Sequence, residues 1–325
     1  MQPTISIITP VFNSQKYIKR FFNNFNQANK DKIAELIFID DGSTDNTPTI
    51  INELASTNDN VKFYKQDHQY QSAARNLGMS HASGKYFLFL DVDDTFSPEL
   101  FTTMLKNIQD YSLVICGINR VLSNNTLVLN NSVLEGATTK DEIAKKFLLN
   151  RDQMDSGLWN KIFRADIIQQ NHLSFSNKNF VEDILFVFNY LMCINANEIK
   201  FVHKALYTYY QNSNTTTTSY YPELDGLADS YISQVSETLQ RQNISDYQEI
   251  VVNTAIRTQV YVIHRHILGD RLWNAHKQKE FLNRLTNQFK NSQELLPTKY
   301  KLGLKVMKIA PNIYIKLYRL YKHVH

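Results

Sequence analysis

Residues 86–94 read YFLFLDVDD, an apolar run of five residues that leads directly into three carboxylates within four positions. An uninterrupted aromatic and aliphatic run of this length is typical of a buried strand. Asp91, Asp93 and Asp94 repel one another unless a positive charge lies among them. The segment therefore predicts either a site for a hard divalent cation, Mn²⁺ or Mg²⁺, or a solvated acidic turn.

Similar short runs rich in apolar residues occur at residues 5–9, 36–39 and 61–64, with helical spacing of apolar residues between them. Short apolar strands that alternate with helices predict a parallel sheet with helices on both faces. Such sheets bind their ligands beyond the carboxyl ends of the strands. We therefore expect the polar residues that follow these strands to form one site.

The second apolar run leads into residues 40–45, DDGSTD. A carboxylate at the end of a strand can accept a hydrogen bond from a nucleobase N–H or a ribose hydroxyl, and Gly42 permits a tight turn. Residues 43–45 are typical of helix caps. A structural role in the turn and the helix cap explains the presence of residues 43–45. It explains the two carboxylates of Asp40 and Asp41 less well.

Two further segments carry groups that could do chemistry. Arg75, within AARNLG at residues 73–78, either binds a diphosphate or a base edge, or forms a surface salt bridge. Glu182 and Asp183 open the helix predicted over residues 181–193, where acids ordinarily balance the helix dipole. If one of them is instead a general base, we expect the helix N-terminus to keep it ionised at neutral pH.

Length and composition narrow the class of protein. With 325 residues, 43% of them hydrophobic and 12% aromatic, the chain can build one large catalytic domain with an appendage. Its two cysteines, Cys116 and Cys193, lie outside any CxxC pattern, which excludes a disulfide scaffold and a thiolate zinc site. Neither a signal peptide nor a membrane-spanning run is visible, so we expect a cytoplasmic protein.

Three regions differ in their pattern along the chain. Alternating strands and helices predict a catalytic α/β domain over residues 1–215, and amphipathic helices predict a helical region over residues 216–296. Residues 297–325 form a basic tail that carries +7 and no acid, although the net charge of the whole chain is +4. Apolar residues between its lysines favour an anionic membrane surface or an acidic partner over nucleic acid. A tail packed on the protein body or used for oligomerisation is the alternative.

Six short segments of the chain, in their order and spacing, resemble the motifs of family 2 glycosyltransferases of the GT-A fold. They are residues 9–13 (TPVFN), 39–45 (IDDGSTD), 74–78 (ARNLG), 91–94 (DVDD), 158–161 (LWNK) and 181–183 (VED). Each motif alone is weak, whereas six in order are specific. The distal half also resembles bacterial transferases of wall teichoic acid and exopolysaccharide, which append a helical C-terminal region.

The resemblance implies a binding site for a nucleoside-diphosphate sugar, with UDP as the nucleotide. The residues that it places around this donor are Pro10, Phe12, Asn13, Asp40, Asp41, Arg75, Asp91 and Asp93. Among them, Phe12 and Asp41 are implied at the nucleobase and Asp91 at the ribose. Relatives usually have glycine where this chain has Tyr70, which is expected to narrow the donor site.

The resemblance also implies a mechanism. Asp93 and Asp94 are implied as ligands of Mn²⁺ or Mg²⁺, which neutralises the departing nucleoside diphosphate. Asp183, with Glu182 beside it, is implied as the general base that takes the proton of an acceptor hydroxyl. A single displacement of this kind inverts the anomeric configuration of the sugar.

Trp159 and Lys161 are implied on the acceptor side of the site. The implied acceptor is a bacterial surface glycan or a lipid-linked acceptor, which the protein would meet at the inner face of the cell membrane.

Two other classes of protein remain open. A non-catalytic protein that binds carbohydrates or nucleotide sugars on the same fold is disfavoured by Asp93 and Asp183. A nucleotidyltransferase would normally carry a glycine-rich basic loop after its first strand, and residues 10–14 contain neither glycine nor a basic residue.

Overall fold

The structure, a computed structural model, describes residues 3–122, 125–176, 180–211, 220–288 and 298–324. The chain divides into two compact units, Met1–Asn212 and Ser213–His325. The domain boundaries predicted after residues 215 and 296 both fall outside the described residues.

The first unit contains a nine-stranded sheet among its described residues. Its strands are β1 (Ile5–Val11), β2 (Ala34–Asp40), β3 (Val61–Lys65), β4 (Tyr86–Phe89), β5 (Thr95–Phe96), β6 (Leu113–Val121), β7 (Thr126–Leu129), β8 (Lys161–Arg164) and β9 (Ile199–Tyr210). Its α-helices are α1 (Gln15–Ala28), α2 (Thr47–Thr57), α3 (Tyr70–His81), α4 (Leu100–Ile108), α5 (Lys140–Asn150), α6 (Gln153–Ser156), α7 (Ala165–Gln170) and α8 (Glu182–Leu191).

The strands follow the order β3-β2-β1-β4-β8-β6-β9-β5, with β7 paired to β6. The first four strands pair in parallel, as do β6 and β9, whereas β5, β7 and β8 run antiparallel to their neighbours. This mostly parallel sheet with its helices confirms the predicted α/β fold class. The sequence carries no signal for β8, because only two of its four residues, Ile162 and Phe163, are apolar. It forms a strand because β4 and β6 pair with it on either side.

Helix α3 packs closely on the sheet. Every residue of β1 and β2 is buried, as their continuous apolar runs predict for parallel strands. At Gly78 of α3 a Cβ atom would lie 2.5 Å from Cγ2 of Ile8, so only glycine permits this approach. Arg75 lies about one turn earlier on the same helix, within reach of the loop that follows β4.

The second unit is helical in its described part. Its helices are α9 (Leu224–Arg241), α10 (Tyr247–Gly269), α11 (Ala275–Gln288), α12 (Thr298–Ile309) and α13 (Pro311–Val324). The last two helices, which make up the basic tail, contact α10 and α11. No helix among the described residues is both long and apolar enough to cross a membrane.

Candidate active site

Two loops at the carboxyl ends of β1 and β2 are joined by Asn13. Its Oδ1 accepts a hydrogen bond from the N–H of Thr44 (2.8 Å), and its own N–H donates to Oγ of Ser43 (2.8 Å). The buried carboxylate of Asp40 accepts a further bond from the Ser43 N–H (3.1 Å). Asn13 has φ +47°, a left-handed conformation that asparagine adopts more readily than most residues. Asn13 and Asp40 therefore both hold the loop of residues 43–45 in place. Pro10 lies within β1 and pairs with Ile39 of β2.

The buried carboxylate of Asp41 is surrounded by the segment that leads into α3. Oδ1 accepts hydrogen bonds from Nε2 of Gln66 (2.7 Å) and from the N–H of Gln69 (2.8 Å). Oδ2 accepts a bond from the N–H of Tyr70 and lies 2.8 Å from Nδ1 of His68. Asp41 thus determines where the His68 and Tyr70 rings are placed.

These rings form an aromatic cluster with Phe12. The ring centroids of Phe12 and His68 are 4.6 Å apart, and those of His68 and Tyr70 are also 4.6 Å apart. Phe12 and Tyr70 expose 46% and 48% of their surface. Large rings exposed to this extent offer faces on which a planar base can stack.

The backbone at Tyr70 is unusual for a residue with a side chain. Its φ of +69° lies in the left-handed region, which costs an L residue roughly 1–2 kcal/mol and costs glycine nothing. The hydrogen bond from its N–H to Asp41 helps to hold this conformation. The chain thus carries an exposed ring on a backbone that glycine would adopt without strain.

The acidic turn after β4 places its three carboxylates in different surroundings. Asp94 is buried, and its two oxygens accept hydrogen bonds from the hydroxyl of Tyr207 (2.7 Å) and the N–H of Tyr210 (2.9 Å). Burial, with the negative charges of Asp91 and Asp93, raises the pKa of Asp94 well above its usual value. Asp94 therefore anchors the turn to β9, whereas Asp91 and Asp93 are only half-buried.

The two residues predicted on the acceptor side lie inside the protein. Trp159 exposes 5% of its surface and stacks on Tyr207, with 4.9 Å between the ring centroids. Lys161 is fully buried, and its Nζ donates hydrogen bonds to three oxygen atoms of residues 154–160. Burial lowers the pKa of Lys161 to about 8. Lys161 thus ties together the loop of residues 154–160. Trp159 packs on Tyr207, whose hydroxyl donates to Asp94.

Arg75 is the centre of the site and is 2% exposed. Its Nη1 lies 2.7 Å from Oδ1 of Asp183 and 3.7 Å from Oε1 of Glu182. Its Nη2 lies 3.3 Å from Oδ1 of Asp91. This burial excludes a surface salt bridge, and the one cation joins α3, the turn after β4 and the start of α8.

Asn76, next to Arg75, holds the segment that precedes α8. Its Nδ2 donates to the carbonyl oxygen of Phe175 and its Oδ1 accepts from the Phe175 N–H, both at 2.9 Å. The Phe175 ring stacks on Phe186 of α8 at 4.1 Å and lies 5.5 Å from the Arg75 guanidinium. Both polar residues of the ARN motif therefore bind α3 to the region of α8.

Asp183 is the second residue of α8, and 32% of its side chain is exposed. The residue before the helix, Val181, has φ +48°, which is exceptional for a β-branched residue. Burial raises the pKa of Asp183 to about 7; Arg75 opposes this shift, and Glu182 and Asp91 add to it. The pKa of Asp183 is thus raised although the residue lies in the first turn of α8. That the helix N-terminus keeps it ionised at neutral pH stays a prediction.

The carboxylates after β4 fit a divalent cation that takes most of its ligands from a diphosphate. In the part of the chain that the structure describes, no three His, Cys, Asp or Glu side chains are grouped to hold a metal by themselves. Asp93 adds a hard carboxylate to a turn rich in negative charge, and both oxygens of Asp94 accept hydrogen bonds. One or two carboxylates are the usual protein ligands of Mg²⁺ when phosphates complete its shell.

Sequence reasoning did not single out three residues that shape the site, His68, Phe175 and Tyr207. A lone histidine in a polar segment and a phenylalanine in an irregular one carry no pattern that marks them. The aromatic strand β9 is visible in the sequence, but the tyrosine that bonds Asp94 is identified only by the pairing of β9 with β5.

Carboxylates, a buried arginine and exposed rings lie at the strand ends of a mostly parallel sheet, where α/β proteins bind their ligands. The model of glycosyl transferase family 2 matches residues 6–170, about half of the chain. The protein belongs to this family and is a glycosyltransferase.

Relatives and solved structures agree. EpsH of Bacillus subtilis (strain 168) is 26% identical over 293 residues, 88% of this chain and 82% of EpsH. S. aureus TarS 1-349 in complex with UDP matches with a TM-score of 0.67 and 19% identity, over 99% of this chain and 92% of that one. The mannosyltransferase PcManGT from Pyrobaculum calidifontis, in complex with GDP-Man and Mn²⁺, matches with a TM-score of 0.52 and 12% identity, over 96% and 88%. The resemblance to GT-A enzymes of family 2 is confirmed.

Proposed function

We propose that the protein transfers a sugar from a nucleoside-diphosphate sugar, with UDP as the nucleotide, to a hydroxyl group of a bacterial surface glycan or a lipid-linked acceptor. The reaction uses a divalent cation and inverts the anomeric configuration. The observation that carries this proposal is the Arg75 cluster. One buried cation holds Asp183 at the start of α8 and Asp91 in the acidic turn, so the proposed base and a proposed donor-binding residue lie side by side.

Support for the donor comes from the ends of β1 and β2. The exposed rings of Phe12 and Tyr70 offer stacking faces for a nucleobase, and Asp41 fixes the segment that carries Tyr70. Asp91, half-buried beside Arg75, is proposed to face the ribose. The TarS structure contains UDP and the mannosyltransferase structure contains GDP-Man, so two proteins of this fold bind nucleoside diphosphates.

Support for the cation comes from the turn after β4. Asp93 is proposed as the carboxylate that holds Mn²⁺ or Mg²⁺, and Asp94, bonded to Tyr207, as the residue that fixes the turn. The mannosyltransferase of the same fold contains Mn²⁺. When bound, the cation supplies positive charge that offsets the charge on the leaving diphosphate.

Asp183 is proposed as the general base. Its carboxylate takes the proton of the acceptor hydroxyl while that oxygen attacks the anomeric carbon from the face opposite the leaving group. A base whose pKa lies near 7 combines the ionised form with useful basicity at neutral pH. Arg75 orients Asp183, and the buried Trp159 and Lys161 are proposed to support the acceptor side from within.

Nucleotide-dependent thermal stability tests the proposal. UDP, GDP, dTDP and CDP, each with and without Mn²⁺, are added to the wild type, to Asp93→Ala and to a control, Asp110→Ala, at an exposed position. A ligand at 100 times its Kd stabilises the folded state by about 2.7 kcal/mol, which raises the unfolding midpoint. We expect a Mn²⁺-dependent rise with UDP in the wild type and the control, and none in Asp93→Ala. No rise with any nucleotide would contradict the proposal and favour a non-catalytic binding protein.

A further inference from the structure

Helices α12 and α13 carry one continuous row of exposed apolar side chains, here named the apolar stripe. Its members are Leu302, Val306, Ile309, Ile313, Leu317 and Leu320, which expose 45–69% of their surface. Successive members are three or four residues apart, so they share one face of each helix. The row continues across the short break between the helices, at Ala310.

The stripe points outward because the opposite face of the two helices is occupied. Leu304, Met307 and Ile315 are buried. The carbonyl oxygen of Met307 accepts a hydrogen bond from Nε2 of Gln278 (3.0 Å), a residue of α11 that is itself fully buried.

Helix α13 is held against α10 by two polar contacts. Nε2 of His264 lies 2.6 Å from the hydroxyl of Tyr314, and Nε of Arg319 donates a hydrogen bond to the carbonyl oxygen of Ile267 (3.0 Å). Contacts on α10 and α11 therefore fix the rotation of α12 and α13, and leave the apolar face in solvent.

Basic residues run beside the apolar stripe. Five of its six members directly follow a basic residue, and these five, here named the basic border, are Lys301, Lys305, Lys308, Lys316 and Arg319. All five are exposed. Residues 298–324 contain no aspartate or glutamate, so no acid within these helices neutralises the border.

We propose that the apolar stripe and the basic border dock this protein on an anionic phospholipid membrane. The two helices lie in the plane of the interface, where the aliphatic side chains enter the acyl region and the ammonium groups reach lipid phosphates. The charge argues for lipid over a second copy of the chain, because a symmetric contact through the same face brings two basic borders together. This inference does not depend on the transfer reaction.

Flotation of the full chain with lipid vesicles tests the proposal. The vesicles are phosphatidylcholine alone, or phosphatidylcholine mixed with phosphatidylglycerol. Each basic residue near an anionic surface increases the binding constant for the membrane about fivefold, which is equivalent to about 1 kcal/mol. The triple variant Lys305→Gln, Lys308→Gln, Lys316→Gln is therefore expected to bind the mixed vesicles about a hundredfold more weakly.

Two control variants test whether binding depends on where the lysines lie and on the apolar side chains, rather than on net charge alone. Lys19, Lys30 and Lys106, all exposed in the first unit, are changed to glutamine together, which alters the net charge equally. This control is expected to bind like the wild type. The variant Ile309→Ser, Ile313→Ser keeps every charge. Its affinity for the mixed vesicles is expected to fall at least tenfold, because each aliphatic side chain that leaves water contributes about that factor to binding.

Several outcomes would overturn the proposal. They are equal binding to the neutral and mixed vesicles, no binding by the wild type, or equal losses in the two lysine variants. A wild-type dimer in light scattering that Ile309→Ser, Ile313→Ser converts to monomer would assign the stripe to self-association instead. The UDP-dependent midpoint shift of the same variants is expected to remain unchanged, so failure here is distinguishable from failure of the proposed function.

Discussion

Nη1 of Arg75 lies 2.7 Å from Oδ1 of Asp183, although the two residues are 108 positions apart in the chain. The contact joins the middle of α3 to the first turn of α8. It gives the proposed base a cation that lowers its pKa, against a burial effect that raises it. The chemistry of the site is therefore expected to depend on this pair.

Asp183→Asn is expected to lower kcat by about 10²–10⁴, the usual contribution of a general base. Asparagine keeps the shape and a hydrogen-bonding oxygen, so nucleotide binding is expected to persist. The measurement is the rate of sugar transfer, with the UDP-dependent thermal shift as the binding readout. Glu182→Gln, 3.7 Å from Arg75 in the wild type, is the matched control and is expected to lose far less activity. Equal losses in both variants would contradict the assignment of Asp183 as the base.

The pH profile of kcat/KM is expected to show an acid limb near pH 7, because the pKa of Asp183 in the free protein is raised to about 7. Below that pH the carboxylate binds a proton and no longer accepts one from the acceptor, so the rate falls with slope one. Above it the base is ionised and the rate reaches a plateau. The limb is expected to disappear from the residual activity of Asp183→Asn. A limb near the ordinary aspartate pKa of about 4 would show that the burial effect is absent.

Arg75→Met is expected to lower the free energy of unfolding by about 3–5 kcal/mol, because it leaves three carboxylates near one another without their cation. Urea denaturation measures the change. Since Arg75 lowers the pKa of Asp183, any residual activity is expected to show an acid limb at higher pH. Adding Asp183→Asn is expected to restore part of the lost stability. Strictly additive effects of the two substitutions would argue against their coupling.

Tyr70→Gly separates backbone strain from ring contacts. Glycine removes a left-handed strain of roughly 1–2 kcal/mol, and its greater freedom stabilises the unfolded state by about 0.5–1 kcal/mol. The free energy of unfolding is therefore expected to rise by up to about 1.5 kcal/mol. Affinity for UDP is expected to fall, because the exposed ring is lost. Tyr70→Phe keeps both strain and ring, and is expected to match the wild type in each measurement. Unchanged UDP affinity in Tyr70→Gly would remove Tyr70 from the donor site.

Strands β1 to β4, several helices and the motif residues could be predicted because each depends on neighbours in the chain. Continuous apolar runs are recognisable as β1, β2 and β4, and the polar residues after them lie where ligands of parallel sheets bind. The four residues of β8 could not be predicted, because their pairing with β4 and β6 makes them a strand. Likewise, nothing in the chain near Lys161 shows that its three donors are already engaged.

Local pattern thus suffices for the α/β class, for the family and for the residue types that gather at one edge of the sheet. Tertiary structure alone decides which of those residues is buried, which accepts hydrogen bonds and which has a shifted pKa. It buries Arg75 among three carboxylates, commits both oxygens of Asp94 to β9 and shifts the pKa of Asp183 in the opposite direction from that expected of a helix N-terminus. The physical reason is that burial and charge pairing depend on distances between residues far apart in the chain, and those distances exist only once the sheet has formed.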